Sequence, residues 1–242
     1  IEKDVYSMEF KKLNAPSMKE LFITELQNMI LSGQLEIGAK LPPERELAES
    51  MQVSRAVINS GISELEKKGF LVVKPRIGTF VANYEKNGTI DTLIAIMNYN
   101  GGVLRNRDVR SILEVRIMFM SVASSMAIDH ASDEEIASLE TYVTQLAHST
   151  SPEQTATLIF DFSHAIACIS GNTLLPLFFI SFKDLVCRLW VKYGQKYGIE
   201  ELYHSADKIY RCLRERNKKA ASDFIRISTQ ESIDGSRTIY YE

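Results

Sequence analysis

Three groups of side chains in this sequence have types and spacing that could do chemistry. Ser54 and Arg55 stand where a helix begins, with Asn59 one turn further on. Donors at a helix N-terminus suit the reading of base edges in a DNA groove. A short hairpin sequence follows, in which Lys74, Arg76, Gly78 and Thr79 can offer cations and backbone N–H groups to phosphates or a minor groove. The third group lies in the second half of the chain. Arg116 sits between Val115 and Ile117 on an apolar stretch, where an unpaired charge is costly. It predicts either an internal salt bridge, to Glu114 or another acid, or an anchor for an anionic ligand. Asp161 and His164 stand at i, i+3 on one helical stretch, with Ser163 beside them and His204 later, a set that is either a sparse metal site or ordinary polar positions. Trp190, Tyr193 and Tyr197 are spaced to share one helix face, an arrangement that serves a core more often than a ligand wall.

Catalytic patterns are missing: there is no Gly-rich phosphate loop, GxSxG, HExxH or spaced carboxylate pair, so no enzyme is expected. Cys168, Cys187 and Cys212 lack CxxC spacing and fall among helix-periodic apolar residues, which reads as core thiols. A length of 242 residues suits two domains, and 45% hydrophobic with 24% charged residues is globular. The longest nearly apolar run, Thr173 to Phe182, is short for a bilayer, and no basic, then apolar leader opens the sequence. The expectation is a cytoplasmic protein with no membrane partner. Net charge is −3, and residues 1–86 carry twelve Lys and Arg against twelve Asp and Glu. DNA binding there requires the basic groups to be segregated onto one face.

The elements that must position these groups follow from period and capping. Ser17 and Glu20 make a capping box before an apolar stripe of Leu21, Ile23, Leu26, Met29 and Ile30, which Gly33 ends. Leu35, Ile37 and Leu41 flank a Gly38 turn, an extended piece suited to pair with a later hairpin. A second helix starts at Pro42-Pro43 and turns Leu47, Ala48 and Met51 inward. After Gln52-Val53, Ser54 caps a third helix to Lys68, whose Ile58, Ile62 and Leu65 face the core. That leaves Arg55, Ala56, Asn59 and Ser63 outside. Phe70 to Val73 and Thr79 to Ala82 are hairpin strands. From Thr89 onward the period is helical: Asp108 to His130, capping boxes at Ser132 and Ser151, a break at Ser170-Gly171-Asn172 before a long aromatic helix, and two further helices from about Ile199.

The order helix, helix, tight turn, helix, hairpin is that of a winged helix-turn-helix. The runs LPPERELA from Leu41, VSR from Val53, LEKKGFL from Leu65 and GTFV from Gly78 resemble the DNA-binding domain of GntR-type regulators. The later part is similar to the helical effector (FCD) domain of the FadR subgroup, through Glu114-Val-Arg116, Ser170-Gly-Asn172, Ile209, Cys212-Leu213, Asn217 and Ala221. The fold class expected is mainly α, an N-terminal winged helix-turn-helix with a small β-hairpin wing and a C-terminal all-α bundle of six or seven helices. The expected layout is an N-terminal arm (1–15), a DNA-binding domain (16–83), a polar linker (84–90) and an effector-binding and dimerisation domain (91–242).

The resemblance implies that Arg45 and Arg55 contact bases or phosphates; by its spacing Arg45 could equally pair with Glu49 at i+4. Asn59 departs from the arginine usual in the family, and asparagine fits adenine better than guanine. Arg76 stands where the family commonly has glycine. The resemblance also implies a metal held by an acid and three histidines, but those positions fall on Ile159, Ser163, Ala206 and Ser228, none of them good ligands. No resident cofactor is therefore expected. The implied function is a ligand-responsive regulator, a repressor binding a pseudo-palindromic double-stranded operator as a homodimer. A small organic effector, a carboxylate or acyl compound, would bind near Arg116, Ser163, His164, Tyr193 and His204. The alternative is a metal-dependent sensor using Asp161, His164 and His204.

Overall fold

The computed structural model describes residues 15–99 and 106–240, so the expected N-terminal arm falls outside the described residues apart from its last position. The chain divides into two compact units, residues 1–101 and 102–242.

The first unit begins with α1 (Met18–Leu31), capped by Ser17 and Glu20 in a reciprocal box. Gly33 follows in the left-handed region with φ 84°. α2 (Glu44–Met51) and α3 (Arg55–Lys67) are joined by Gln52, itself left-handed at φ 53°, which turns the chain within two residues. Ile58, Ile62 and Leu65 of α3 are buried against Phe22 and Leu26 of α1 and Leu47 of α2. Helix α3 packs so close to α1 that a Cβ on Gly61 would lie 2.2 Å from Phe22 Cδ1. β1 (Leu71–Lys74) and β2 (Gly78–Val81) pair antiparallel in the register Leu71 to Val81 through Lys74 to Gly78. The segment after Gly38 adds a third edge: Leu41 N–H donates to Thr79 O and Val81 N–H to Ala39 O, both at 2.9 Å.

Residues 84–90 differ from the polar linker expected there. They form α4 (Tyr84–Asn87) and lead into α5 (Ile90–Asn98), and Tyr84, Ala95 and Ile96 pack on the first unit's core. Buried Thr92 donates its hydroxyl to the Lys68 carbonyl at the end of α3. A polar stretch is thus tied down by Tyr84 at its start and by apolar side chains of the helix that follows it, which local composition does not reveal.

The described part of the second unit holds eight helices, one or two more than expected. α6 (Asn106–His130) buries Val109, Ile112, Leu113, Met120 and Ala123. It is long and apolar enough to cross a membrane by length and composition, unlike the Thr173 to Phe182 run singled out in the sequence, and here it packs against α13 and α9. α7 (Asp133–Ser138) and α8 (Glu140–Ala147) precede α9 (Pro152–Cys168). The long aromatic helix expected after Ser170 is two helices, α10 (Leu175–Ser181) and α11 (Lys183–Tyr197), broken at Phe182. α12 (Glu200–Arg214) and α13 (Lys218–Ile233) complete it. Between them Arg216, at φ 53°, donates to the carbonyls of Ile128 and Ala131 at 2.7 and 2.8 Å and to Asp133 at 2.6 Å. One side chain thereby satisfies the open carbonyls at the end of α6 and fixes the start of α7.

Candidate DNA interface and effector site

Ser54 Oγ accepts the Val57 N–H at 3.3 Å and so starts α3 with Arg55 in its first turn. With Ile58, Ile62 and Leu65 turned in, Arg55, Ala56, Asn59, Ser60 and Ser63 are exposed together. Ala56, Asn59, Ser60 and Ser63 border a groove of about 500 Å³ that also touches Lys19, Glu64 and Lys67. Glu64, the one acid lining that groove, is bound by Lys19 at 2.5 Å and Lys68 at 3.2 Å. These ammonium groups hold its carboxyl below the usual range. Arg45 does pair with Glu49, Nε to Oε1 at 2.9 Å, yet the side chains remain 76% and 65% exposed. So open a pair is worth a few tenths of a kcal/mol and leaves Arg45 able to turn to a phosphate.

At the wing, Arg76 occupies the tip with φ 65°, a left-handed position where glycine would fit without strain. Gly78, at φ 135°, takes a backbone conformation that residues with a Cβ rarely adopt. Lys40 and Lys74 stand 5.9 and 4.9 Å from the centroid of the Phe80 ring. Lys74, Arg76, Gly78 and Thr79 are therefore joined by a cation that sequence reading missed. Lys40 reaches the wing only because its segment bridges to Phe80, and the sole hint was the extended pattern around Gly38. Residues 1–86, of even charge, thus carry Lys74 and Arg76 on the hairpin, Lys40 on the segment bridged to it and Arg55 at a helix start.

In the second unit, among the described residues, Arg116 has none of the acidic partners weighed for it in the sequence. Glu114 pairs instead with Arg110 at 2.9 Å. The Arg116 guanidinium lies 4.7 Å over the Trp190 ring and donates to the Thr229 hydroxyl. The residue keeps some exposed surface, but dense protein around its head pushes the guanidinium down to about 10 through desolvation. Tyr193 stands against Trp190 edge-on at 6.0 Å and is itself buried, which raises its phenol above the ordinary value.

The remaining effector candidates are spread out. Ser163 is partly buried with its hydroxyl on the Ile159 carbonyl at 2.8 Å. His164 stacks on Phe160 at 6.0 Å with Cys168 Sγ 3.8 Å from Nδ1. His204 is exposed beside Tyr203. Asp161 is paired with Lys183 at 3.0 Å. Among the described residues no three His, Cys, Asp or Glu come together in a way that could hold a metal, so the Asp161, His164, His204 alternative is not assembled. Ile159 and Ala206 are buried, and the Ser228 hydroxyl is turned back on the Ile225 carbonyl. The thiols differ from the core positions expected: Cys212 is buried, Cys187 half-buried and Cys168 exposed.

Comparison with known proteins matches residues 22–81 to "Bacterial regulatory proteins, gntR family" and residues 111–229 to the FCD domain. The chain is 25% identical to the HTH-type transcriptional regulator LutR of Bacillus subtilis, over 78% of this chain and 87% of that protein. It is 24% identical to the HTH-type transcriptional repressor NanR of Edwardsiella tarda, over 74% and 68%. Among solved structures, Lar, which controls expression of the Listeria monocytogenes agr system, superposes with a TM-score of 0.59 at 15% identity, covering 93% of this chain and 98% of that one. That likeness concerns the fold. The families matched are regulatory, and no catalytic family is indicated.

Proposed function

Because this chain belongs to the gntR family of bacterial regulatory proteins and carries an FCD effector domain, we propose that it is a ligand-responsive repressor. It binds a pseudo-palindromic operator in the cytoplasm as a homodimer, and a small organic anion at Arg116 modulates that binding. Ser54, Arg55 and Asn59 address base edges from the start of α3, while Arg45, Lys74 and Arg76 neutralise phosphates, with Gly78 and Thr79 placing the wing backbone.

The observation that carries the effector reading is Arg116, an enclosed cation resting on an aromatic face and a hydroxyl. An anion would supply the missing counter-charge in bidentate geometry. Dimerisation is supported by an apolar surface. Val115, Met118 and Val122 on α6 and Leu174, Leu177 and Ile180 around α10 are all exposed, and Phe119 stacking on Phe178 at 5.6 Å joins the two strips. Contiguous apolar surface of this kind marks interaction sites, and a two-fold pairing would set two recognition helices about one DNA turn apart. An effector shifts operator affinity only by the preference it has for one state.

Operator duplexes selected from a random pool test the first part. Affinity should fall steeply with salt, as phosphate neutralisation demands, and a salt-independent affinity would refute it. Sedimentation of Met118→Asp should yield monomers. Native mass spectrometry of the purified protein should detect a retained anion that Arg116→Met loses.

A further inference from the structure

The last described residues, 234–240, leave α13 at Asp234 and run without helical structure along α11. Two side chains of α11, the Lys196 ammonium and the Tyr197 hydroxyl, donate to the Thr238 carbonyl at 3.1 and 2.6 Å. Lys192, one turn earlier on α11, donates to the Tyr240 carbonyl at 2.6 Å. Two residues of extended chain span about 6–7 Å and four residues of helix about 6 Å, so the step from 238 to 240 matches one turn of α11. Between the two gripped carbonyls Ile239 is fully buried. At the other end Arg237 pairs with Glu201 of α12 and hydrogen-bonds Tyr193, and Ser236 donates twice to the Glu231 carboxylate at 3.0 Å.

Tyr193 is the same ring that stands edge-on to Trp190, over which Arg116 lies. On the α6 side, Arg110 interacts electrostatically with Tyr240 and Asp234. Arg110 precedes Arg116 by six residues, about 9 Å of helix. The segment therefore touches α11 and α12 beside the Arg116–Trp190 pair and lies within electrostatic range of α6. Its bonds to α11 run from side chains to its own backbone, so releasing it breaks no helical hydrogen bond. The Thr238 carbonyl also occupies an ammonium and a hydroxyl that an anion could take in its place.

We propose that residues 234–240 are a removable strap over the Arg116–Trp190 site, and that an anion reaches Arg116 only when Ile239 and the 238–240 backbone leave α11. The proposal rests on the reading of Arg116 as the effector anchor, and the test separates the two. Trp190 is the only tryptophan of the chain, so its fluorescence reports access to the site. Quenching is measured in the full chain with neutral acrylamide and with iodide, an anion. Two strap variants are used, Ile239→Asp and the milder pair Lys196→Met with Tyr197→Phe, each checked for helical content. If Ile239→Asp does not fold, the milder pair decides. In the unaltered protein both agents should quench weakly. In the strap variants acrylamide quenching should rise severalfold and iodide quenching more than that, with Arg116→Met in the same background removing only the iodide excess. Unchanged acrylamide quenching in a folded strap variant overturns the strap. A rise for acrylamide without the iodide excess upholds the strap and overturns Arg116 as an anion anchor.

Discussion

Arg55 and Arg116 occupy opposite surroundings. Arg55 stands in the first turn of α3 on the face that Ile58, Ile62 and Leu65 leave exposed, and the core beneath it is formed without it. Arg116 is packed between the Trp190 ring and Thr229, so α6, α11 and α13 all share in its placement. The first unit keeps the cations proposed to meet DNA outside an apolar core, where altering them should leave the fold alone. The second takes a cation inside, where the proposed function and the packing are one question. A surface site follows from local pattern, whereas an enclosed one belongs to several helices at once.

The largest effect that could sharpen this contrast comes from the bundle's interior. Phe162 of α9 is fully buried, and Phe162→Ala should destabilise the protein by about 3–5 kcal/mol in a denaturant titration. A loss well below that would mean that the interior collapses around the gap. On the exposed side, Arg55→Ala should weaken operator binding by about 1–3 kcal/mol for each base contact removed, with an unchanged melting curve. Equal affinity in a gel-shift titration would remove Arg55 from the interface and break the comparison at its simpler end.

Arg116→Met should leave stability at neutral pH unchanged or slightly raised, while abolishing the response to effector. The sign follows from the guanidinium, lowered by desolvation in the folded protein to about 10, well below its ordinary value. Folding disfavours the charged form, so the penalty is full below pH 10 and fades as pH rises above it. The Met variant's advantage should therefore shrink on the alkaline side of that value. A clear loss of stability at pH 7 would show that the Trp190 stack and the Thr229 bond outweigh desolvation. The smallest effect concerns Asn59, exposed one turn beyond Arg55. Asn59→Arg should move the preferred base in each half-site toward guanine, with little change in overall affinity. Identical motifs from selected pools would mean that Asn59 does not face the bases.

Much of the first unit was legible residue by residue. The Ser17–Glu20 box, the Ser54 cap, the inward Ile58, Ile62 and Leu65 and the extended piece at Gly38 that joins the hairpin all lie where local rules put them. Lys40 was missed because its place beside Phe80 depends on a bridge between segments forty residues apart in sequence. In the bundle, helices and caps were visible, but some endings were not. The Ser151 cap holds Gln154 N–H as expected, while the Gln154 side chain reaches back to Thr150 N–H instead of closing the box on Ser151. The break at Phe182 falls where the apolar run ends and Lys183-Asp184 begins, a change of composition that a single helical period reads across.

By itself the sequence determined what depends on neighbours along the chain: the helix periods, their caps, the turn at the wing, the face of α3 turned to solvent, and the lack of metal-binding side chains at Ile159, Ser163, Ala206 and Ser228. Tertiary structure alone decided which groups Arg116 meets. Glu114 is two residues away, but helical geometry turns i and i+2 to different faces, so Glu114 goes to Arg110 at i−4. Arg116 meets Trp190 and Thr229, 74 and 113 residues further on, because α11 and α13 pack against the bundle there. A charge buried by distant helices has its energy set by their docking, and no local pattern carries that information.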